Sequence, residues 1–183
     1  MHSRPGIWIA ALAAAGLAGP LAAQTAEELQ GPFKRWLDED VAYIITSEER
    51  EAYVQLRTDA EREDFIESFW MRRDPTPDSA ANEYREEHYR RIAWANDRFA
   101  ARVSGWKTDR GRAYITRGPP DEIESHPLGG RYERPSREGG GFSADHPFEV
   151  WRYRVATGGD IFLEFEDPAM TGEYRLRMPP SAQ

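Results

Sequence analysis

Apolar positions change their period partway along the chain, and that change predicts the architecture. Thr46 with Glu49, and Thr58 with Glu61, stand at capping-box spacing and mark two helix starts. After the second start, Phe65, Ile66, Phe69 and Trp70 recur at helical spacing and predict one apolar stripe. The stretch Arg72-Arg73-Asp74-Pro75-Thr76-Pro77 ends that helix, because each proline disfavours helical conformation in the residue before it. A longer helix is predicted from about Ser79 to Val103, with Tyr84, His88, Ile92, Ala95 and Phe99 on one side and Arg and Glu crowding the others.

From Gly111 the pattern shortens towards alternation. Arg112 to Thr116 reads as a short strand, stopped by Gly118-Pro119-Pro120. Phe148 to Val155 alternates, with Trp151, Tyr153 and Val155 opposing Val150, Arg152 and Arg154. Thr157-Gly158-Gly159-Asp160 reads as a turn into a second alternating run, Ile161 to Glu166, so the pair predicts a hairpin. A last strand is expected from Tyr174 to Arg177. Helices first and strands after predict an α+β fold, a helical N-terminal half packed on a small, mainly antiparallel C-terminal sheet. Residues 126 to 147 form a Gly-rich stretch with little apolar periodicity, longer than most loops of compact domains and so either functional or disordered. No repeat of about 20 to 50 residues is present, which excludes a solenoid or propeller.

The N-terminus carries a different kind of apolar run. Met1-His2-Ser3-Arg4 is a short positive segment, Ile7 to Leu17 is apolar, Gly19-Pro20 breaks any helix, and Leu21-Ala22-Ala23 offers small residues before Gln24. This is the pattern of a signal peptide cleaved after Ala23, and the run is shorter than the roughly 20 residues that span a bilayer. The expected division is a signal peptide over residues 1–23, a lead-in over 24–35, one α+β domain over 36–177 and a tail over 178–183. The chain is therefore expected to be exported to the periplasm or the exterior, with no stable membrane insertion after cleavage. Its 183 residues contain no Cys, which excludes both a disulfide framework and lipid attachment at an N-terminal Cys.

Charge narrows the partners. The formal net charge is -8, so no nucleic-acid partner is expected, since phosphate binding relies on a basic surface. Lys34 and Lys107 are the only lysines; the other basic residues are Arg, which suits planar pairing with the abundant carboxylates.

Familiar catalytic motifs are missing. Ser125, Ser136 and Ser143 lack a Gly-x-Ser-x-Gly elbow, and no phosphate-cradling Gly-x-x-x-x-Gly-Lys occurs. No cofactor and no metal is expected. His88 shares a face with Tyr84 and Ile92 and reads as a packed histidine with one nitrogen bonded, for instance to a Glu of an earlier helix. A metal role for it lacks the companion ligands of His-Glu-x-x-His or Glu-x-x-His, because Arg85 occupies the position required. The densest chemical cluster is Asp121-Glu122-Ile123-Glu124-Ser125-His126, which opens the long loop that closes near Asp145-His146. Asp109, Asp121, Glu124, His126 and His146 are the candidate catalytic residues, since carboxylates and imidazoles gathered across a loop can bind a divalent ion or exchange protons. The plainer reading makes Asp121 the cap of one helical turn after Pro120, with Glu124 completing a capping box and both histidines exposed. Trp151, Tyr153 and Phe162 either form a binding face or pack under the helices, and about half of the hairpin is expected in the core.

Gly105-Trp106-Lys107-Thr108-Asp109 is similar to the motif that names the GWxTD domain family. Further landmarks of that family resemble, in order, Phe69-Trp70 leading to Arg73-Asp74-Pro75-Thr76-Pro77, then Arg85 to Ile92, Gly118-Pro119-Pro120-Asp121-Glu122-Ile123, and Trp151-Arg152-Tyr153. The resemblance spans roughly Trp36 to Tyr174. It implies an exported or surface-associated bacterial protein and no established activity, cofactor or catalytic residue. The motif residues Gly105, Trp106, Thr108 and Asp109 have a structural account: Gly105 as the left-handed residue ending the long helix, Trp106 turned into the core, Thr108 and Asp109 turning the chain towards a strand at Arg112. The rival account has Asp109 contribute a carboxylate to a site. The function expected is a non-enzymatic interaction or structural module of the envelope with a protein or envelope component as partner; the alternative is a metal-dependent or acid-base enzyme built around residues 121–146.

Overall fold

A computed structural model describes residues 31–130, 132–136, 140–142 and 145–177. The expected signal peptide, most of the lead-in and the tail lie outside the described residues. Described helices are α1 (Pro32–Arg35), continued by a π-helical turn Trp36–Asp40, then α2 (Ser47–Val54), α3 (Asp59–Met71), α4 (Glu83–Phe99) and α5 (Asp109–Arg117). The strands are β1 (Glu122–His126), β2 (Phe148–Tyr153), β3 (Ile161–Glu166) and β4 (Arg175–Leu176), paired antiparallel in the order β1-β2-β3-β4. The fold is α+β, with the helices in the N-terminal half and the sheet at the C-terminal end.

Local chemistry accounts for the helix starts. Thr46 and Thr58 each accept a hydrogen bond from the amide three residues on, and the Glu49 and Glu61 carboxylates accept in turn from the cap amides, so both capping boxes form. Helix α4 is shorter than the expected Ser79 to Val103. It starts where Asn82 Oδ1 accepts from the Arg85 amide at 2.8 Å, and it stops at Ala100, whose backbone is extended.

The period assigned to residues 112–116 is corrected: Arg112 to Thr116 is the body of α5, not a strand. Thr108 caps the helix by accepting from the Gly111 amide, and Gly118 ends it with φ of 86°. Five residues are too few to separate a period of 2 from one of 3.6. Asp121 is corrected as well, because the chain enters β1 there and forms no helical turn. Its amide donates to the Arg152 carbonyl at 2.9 Å and its Oδ2 accepts from the Arg154 amide at 2.7 Å.

Two apolar clusters hold the fold. The first joins Trp36, Leu37, Val41, Tyr53, Phe69 and Trp70, with Phe65 and Ile66 half-buried beside them. The α3 stripe therefore packs on the π-helical turn and α2, through ring contacts such as Trp36 with Phe69 at 5.2 Å. The second joins Ala95 and Phe99 of α4, Ala113 and Ile115 of α5, and Trp151, Tyr153 and Phe165 of the sheet. Cross-strand register places Ile123, Trp151 and Leu163 in one row and Ser125, Glu149 and Phe165 in the next, on the face turned to the helices. Phe162 shares the other face with Glu122 and Arg152, so the hairpin divides between core and outer face.

That outer face is only partly polar. Phe148 and Val150 are buried on it. Arg134, reaching in from the Gly-rich stretch, pairs with Glu164 and lies 3.3 Å from Glu166, with its side chain 1% exposed. Arg177 joins the same two carboxylates.

Ion pairing also closes the N-terminal cluster. Arg73 lies 3.6 Å over the Phe69 ring and reaches Glu49 at 2.7 Å, with Arg72 beside it at 3.0 Å. Burial pushes the Glu49 carboxyl up, but Arg73, the Thr46 amide and Arg72 outweigh it and bring it from an ordinary 4.5 down to about 2. A depressed folded pKa means the stabilisation is complete above pH 4.5 and is lost as pH falls towards 2. In urea melts recorded across that window, Glu49→Gln is expected to be less stable at neutral pH by about 2 kcal/mol and to lose part of the acid dependence seen in the parent. Parallel curves for the two proteins would contradict this role for Glu49.

Candidate functional site

The glycine of Gly105-Trp106-Lys107-Thr108-Asp109 is where two helices meet backbone to backbone. A Cβ on Gly105 would stand 1.9 Å from the Ala95 carbonyl oxygen of α4, and one on Gly111 would stand 1.9 Å from the Gly105 carbonyl oxygen. Neither position admits a side chain. Gly105 opens a short 3-10 turn, Gly105–Lys107, and its φ is not positive, so close approach explains it and a left-handed helix end does not. The helix it was expected to end stops at Phe99.

The other motif residues fasten this crossing. Thr108 Oγ1 donates to the Gly105 carbonyl at 2.7 Å and accepts from the Gly111 amide at 3.0 Å, so one buried hydroxyl holds both glycines. Trp106 is half-buried at the edge of the second cluster. Its amide donates to Asn96 Oδ1 at 3.0 Å, its carbonyl accepts from Tyr43 Oη at 2.9 Å, and Lys107 Nζ stands 4.9 Å from its ring. Asp109 starts α5, and its Oδ2 accepts from the Leu176 amide at 2.8 Å, tying the helix to β4. Directly after the motif, Arg110 lies between the rings of Phe99 and Tyr174 and reaches Glu149 of β2 at 3.0 Å. Sequence reasoning missed this residue; an Arg beside a glycine carries no pattern of its own.

The candidate catalytic residues do not meet in one place. Asp109 is bonded to β4 on the helix side of the sheet and Asp121 to the backbone before Val155. His126 and Glu124, both on β1, pair at 2.8 Å, and the His126 ring stacks on Phe148 at 4.2 Å, so neither belongs to a helical turn. His146 is half-buried, 3.6 Å from Glu166. Among the described residues no three His, Asp or Glu side chains stand where they could hold a metal ion.

His88 is buried, and its partner is the Asp40 main-chain carbonyl at 2.6 Å instead of a glutamate. A carbonyl only accepts, so Nε2 carries the proton, and burial holds the imidazole below its ordinary pKa as the neutral form. Trp70 and Tyr84 flank the ring, and a cleft of about 80 Å³ opens beside it.

A larger feature was not legible from the sequence. One face of α3, Glu63, Ile66, Glu67, Trp70 and Met71, walls a groove of about 680 Å³ with Asp74; Pro77, Ser79, Ala80, Asn82 and Arg85 complete its lining. Asn82 Nδ2 donates to the Trp70 carbonyl at 2.7 Å and holds that part of the lining against α3. Met71 is 62% exposed, and the indole N–H of Trp70 is buried without an acceptor. Among the described residues Glu63, Glu67, Asp74 and Arg85 form no ion pair, although carboxylates such as Glu49, Glu149 and Glu164 are all paired with Arg.

The geometry defines an α+β domain organised around a glycine crossing of two helices that carries the Gly-Trp-x-Thr-Asp sequence. A model of the GWxTD domain matches residues 33–131, more than half of the chain, and the chain belongs to that family. The match covers the helices and β1, while β2 to β4 lie beyond it. A search of curated proteins and a search of solved structures each found no match.

The crossing ranks the motif residues by cost. Gly105→Ala forces backbone against backbone and is expected to cost about 3 kcal/mol. Trp106→Ala, removing a ring only half-buried, is expected to cost about 2 kcal/mol, below the figure for a fully buried aromatic. Thermal melts check the order: Gly105→Ala should melt lowest, roughly 10 °C below the parent, and an unchanged melting temperature for it would remove the crossing as an explanation of the motif.

Proposed function

We propose that this protein is an exported, non-enzymatic interaction module of the bacterial envelope. One observation carries the reading: the α3–α4 groove gathers an apolar floor and unpaired carboxylates on an accessible surface, away from the glycine crossing. Support comes also from the motif, in which the Thr108 and Asp109 side chains make internal hydrogen bonds, and from the candidate catalytic residues, of which Asp109, Asp121, Glu124 and His126 are hydrogen-bonded within the fold. Export follows the leader pattern of residues 1–23, and among the described residues no helix is long and apolar enough to cross a membrane.

Two measurements test the proposal. Mass spectrometry of the protein recovered from the envelope fraction should show a chain beginning at Gln24 and released by mild lysis; an intact Met1 retained in membranes reverses the localisation. Affinity purification with the parent chain should return a partner near equal stoichiometry, and the Glu63→Lys, Glu67→Lys double variant should lose it. Recovery of no partner, together with a stoichiometric divalent ion that His126→Ala abolishes, would replace this reading with the metal-dependent enzyme.

A further inference from the structure

Resting on that reading, we infer that the α3–α4 groove takes an extended, lysine- or arginine-bearing peptide segment of another protein. Charge complementarity selects the sign. Glu63, Glu67 and Asp74 face the groove against Arg85 alone, and none of the three carboxylates has a cationic partner among the described residues. An occupant bringing cations gains pairing there without breaking an internal bridge.

Spacing selects the form. Glu63 and Glu67 are one turn apart on α3, about 6 Å along its axis. Alternate side chains of an extended peptide repeat at about 6.7 Å, so cations two residues apart meet both carboxylates. The floor selects for more than charge. Exposed Met71, with half-buried Ile66 beside it in the lining, offers an apolar, adaptable surface to the side chains between the cations. The volume, about 680 Å³, lies within the range of established binding pockets.

The test is a fluorescence anisotropy titration of the purified chain with three probes: a labelled eight-residue peptide alternating lysine with leucine, the same peptide with glutamate for lysine, and spermine as competitor. The lysine peptide should bind, the glutamate peptide should not, and spermine should displace the label only at large excess. Glu63→Lys with Glu67→Lys should weaken binding at least about tenfold while leaving the melting temperature unchanged, because both side chains are exposed and unpaired. Raising the salt to about 0.5 M should weaken it as well. Absence of binding, equal binding of both peptides, or an unaffected double variant would overturn the assignment, and displacement by equimolar spermine would reassign the groove to small polycations. A stoichiometric partner whose capture survives the double variant would leave the interaction module standing and remove only the groove, whereas absence of any partner beside a positive peptide titration would fail the envelope role alone.

Discussion

The contact of Gly105 with the Ala95 carbonyl, and of Gly111 with the Gly105 carbonyl, is the constraint on which the rest of the domain depends. Helices usually pack with 8 to 10 Å between their axes because side chains separate them. Here two missing side chains let the 3-10 turn lie directly on α4 and α5 lie directly on the turn. That approach decides where α5 begins. It thereby places Asp109 within reach of β4, Arg110 within reach of Glu149 on β2, and Ala113 and Ile115 against Trp151 and Phe165. Helical half and sheet are joined through α5, with Phe99 of α4 packed beside it on Trp151.

Charge is organised by the same economy. Arg73, Arg110 and Arg134 each combine a carboxylate partner with burial or ring contact: Phe69 under Arg73, Phe99 and Tyr174 around Arg110, and the outer sheet face around Arg134. A planar guanidinium can stack and pair at once, which an ammonium cannot, and this gives the near absence of lysine a physical use in this fold. A buried pair of this kind adds little net stability over apolar packing, yet breaking it leaves a charge stranded, so such pairs hold segments in register. Arg134 does this for the Gly-rich stretch, whose described part lies against the sheet through Glu164 and Glu166.

Groove and family signature are built from different residues. Thr108 and Asp109 of the motif make internal hydrogen bonds, while the unpaired charge lies along α3 and the segment before α4. His88 and Tyr43 stand between the two regions, one bonded to the Asp40 carbonyl and the other to the Trp106 carbonyl. Both link the π-helical turn and its following loop to α4 and the motif, so the two apolar clusters are braced by main-chain acceptors.

Sequence by itself determined whatever rests on neighbours along the chain. Both capping boxes, the α3 stripe, the β2–β3 hairpin and the α+β class follow from residues within a few positions of one another, where propensity and period act directly. Residues 112–116 failed that reading because a strand and a short helix offer the same apolar pair, Ala113 and Ile115, to a core; the cap at Thr108 and the surface of α4 decided between them. Tertiary structure alone decided why Gly105 is glycine, since the clashing carbonyl belongs to Ala95, ten residues earlier on another helix. It alone separated Asp109, Asp121, His126 and His146, whose distances depend on how the sheet is laid against the helices. The groove belongs to the same category: Glu63, Glu67 and Asp74 resemble any solvated helix face until Pro77, Ser79, Ala80 and Asn82 complete the lining.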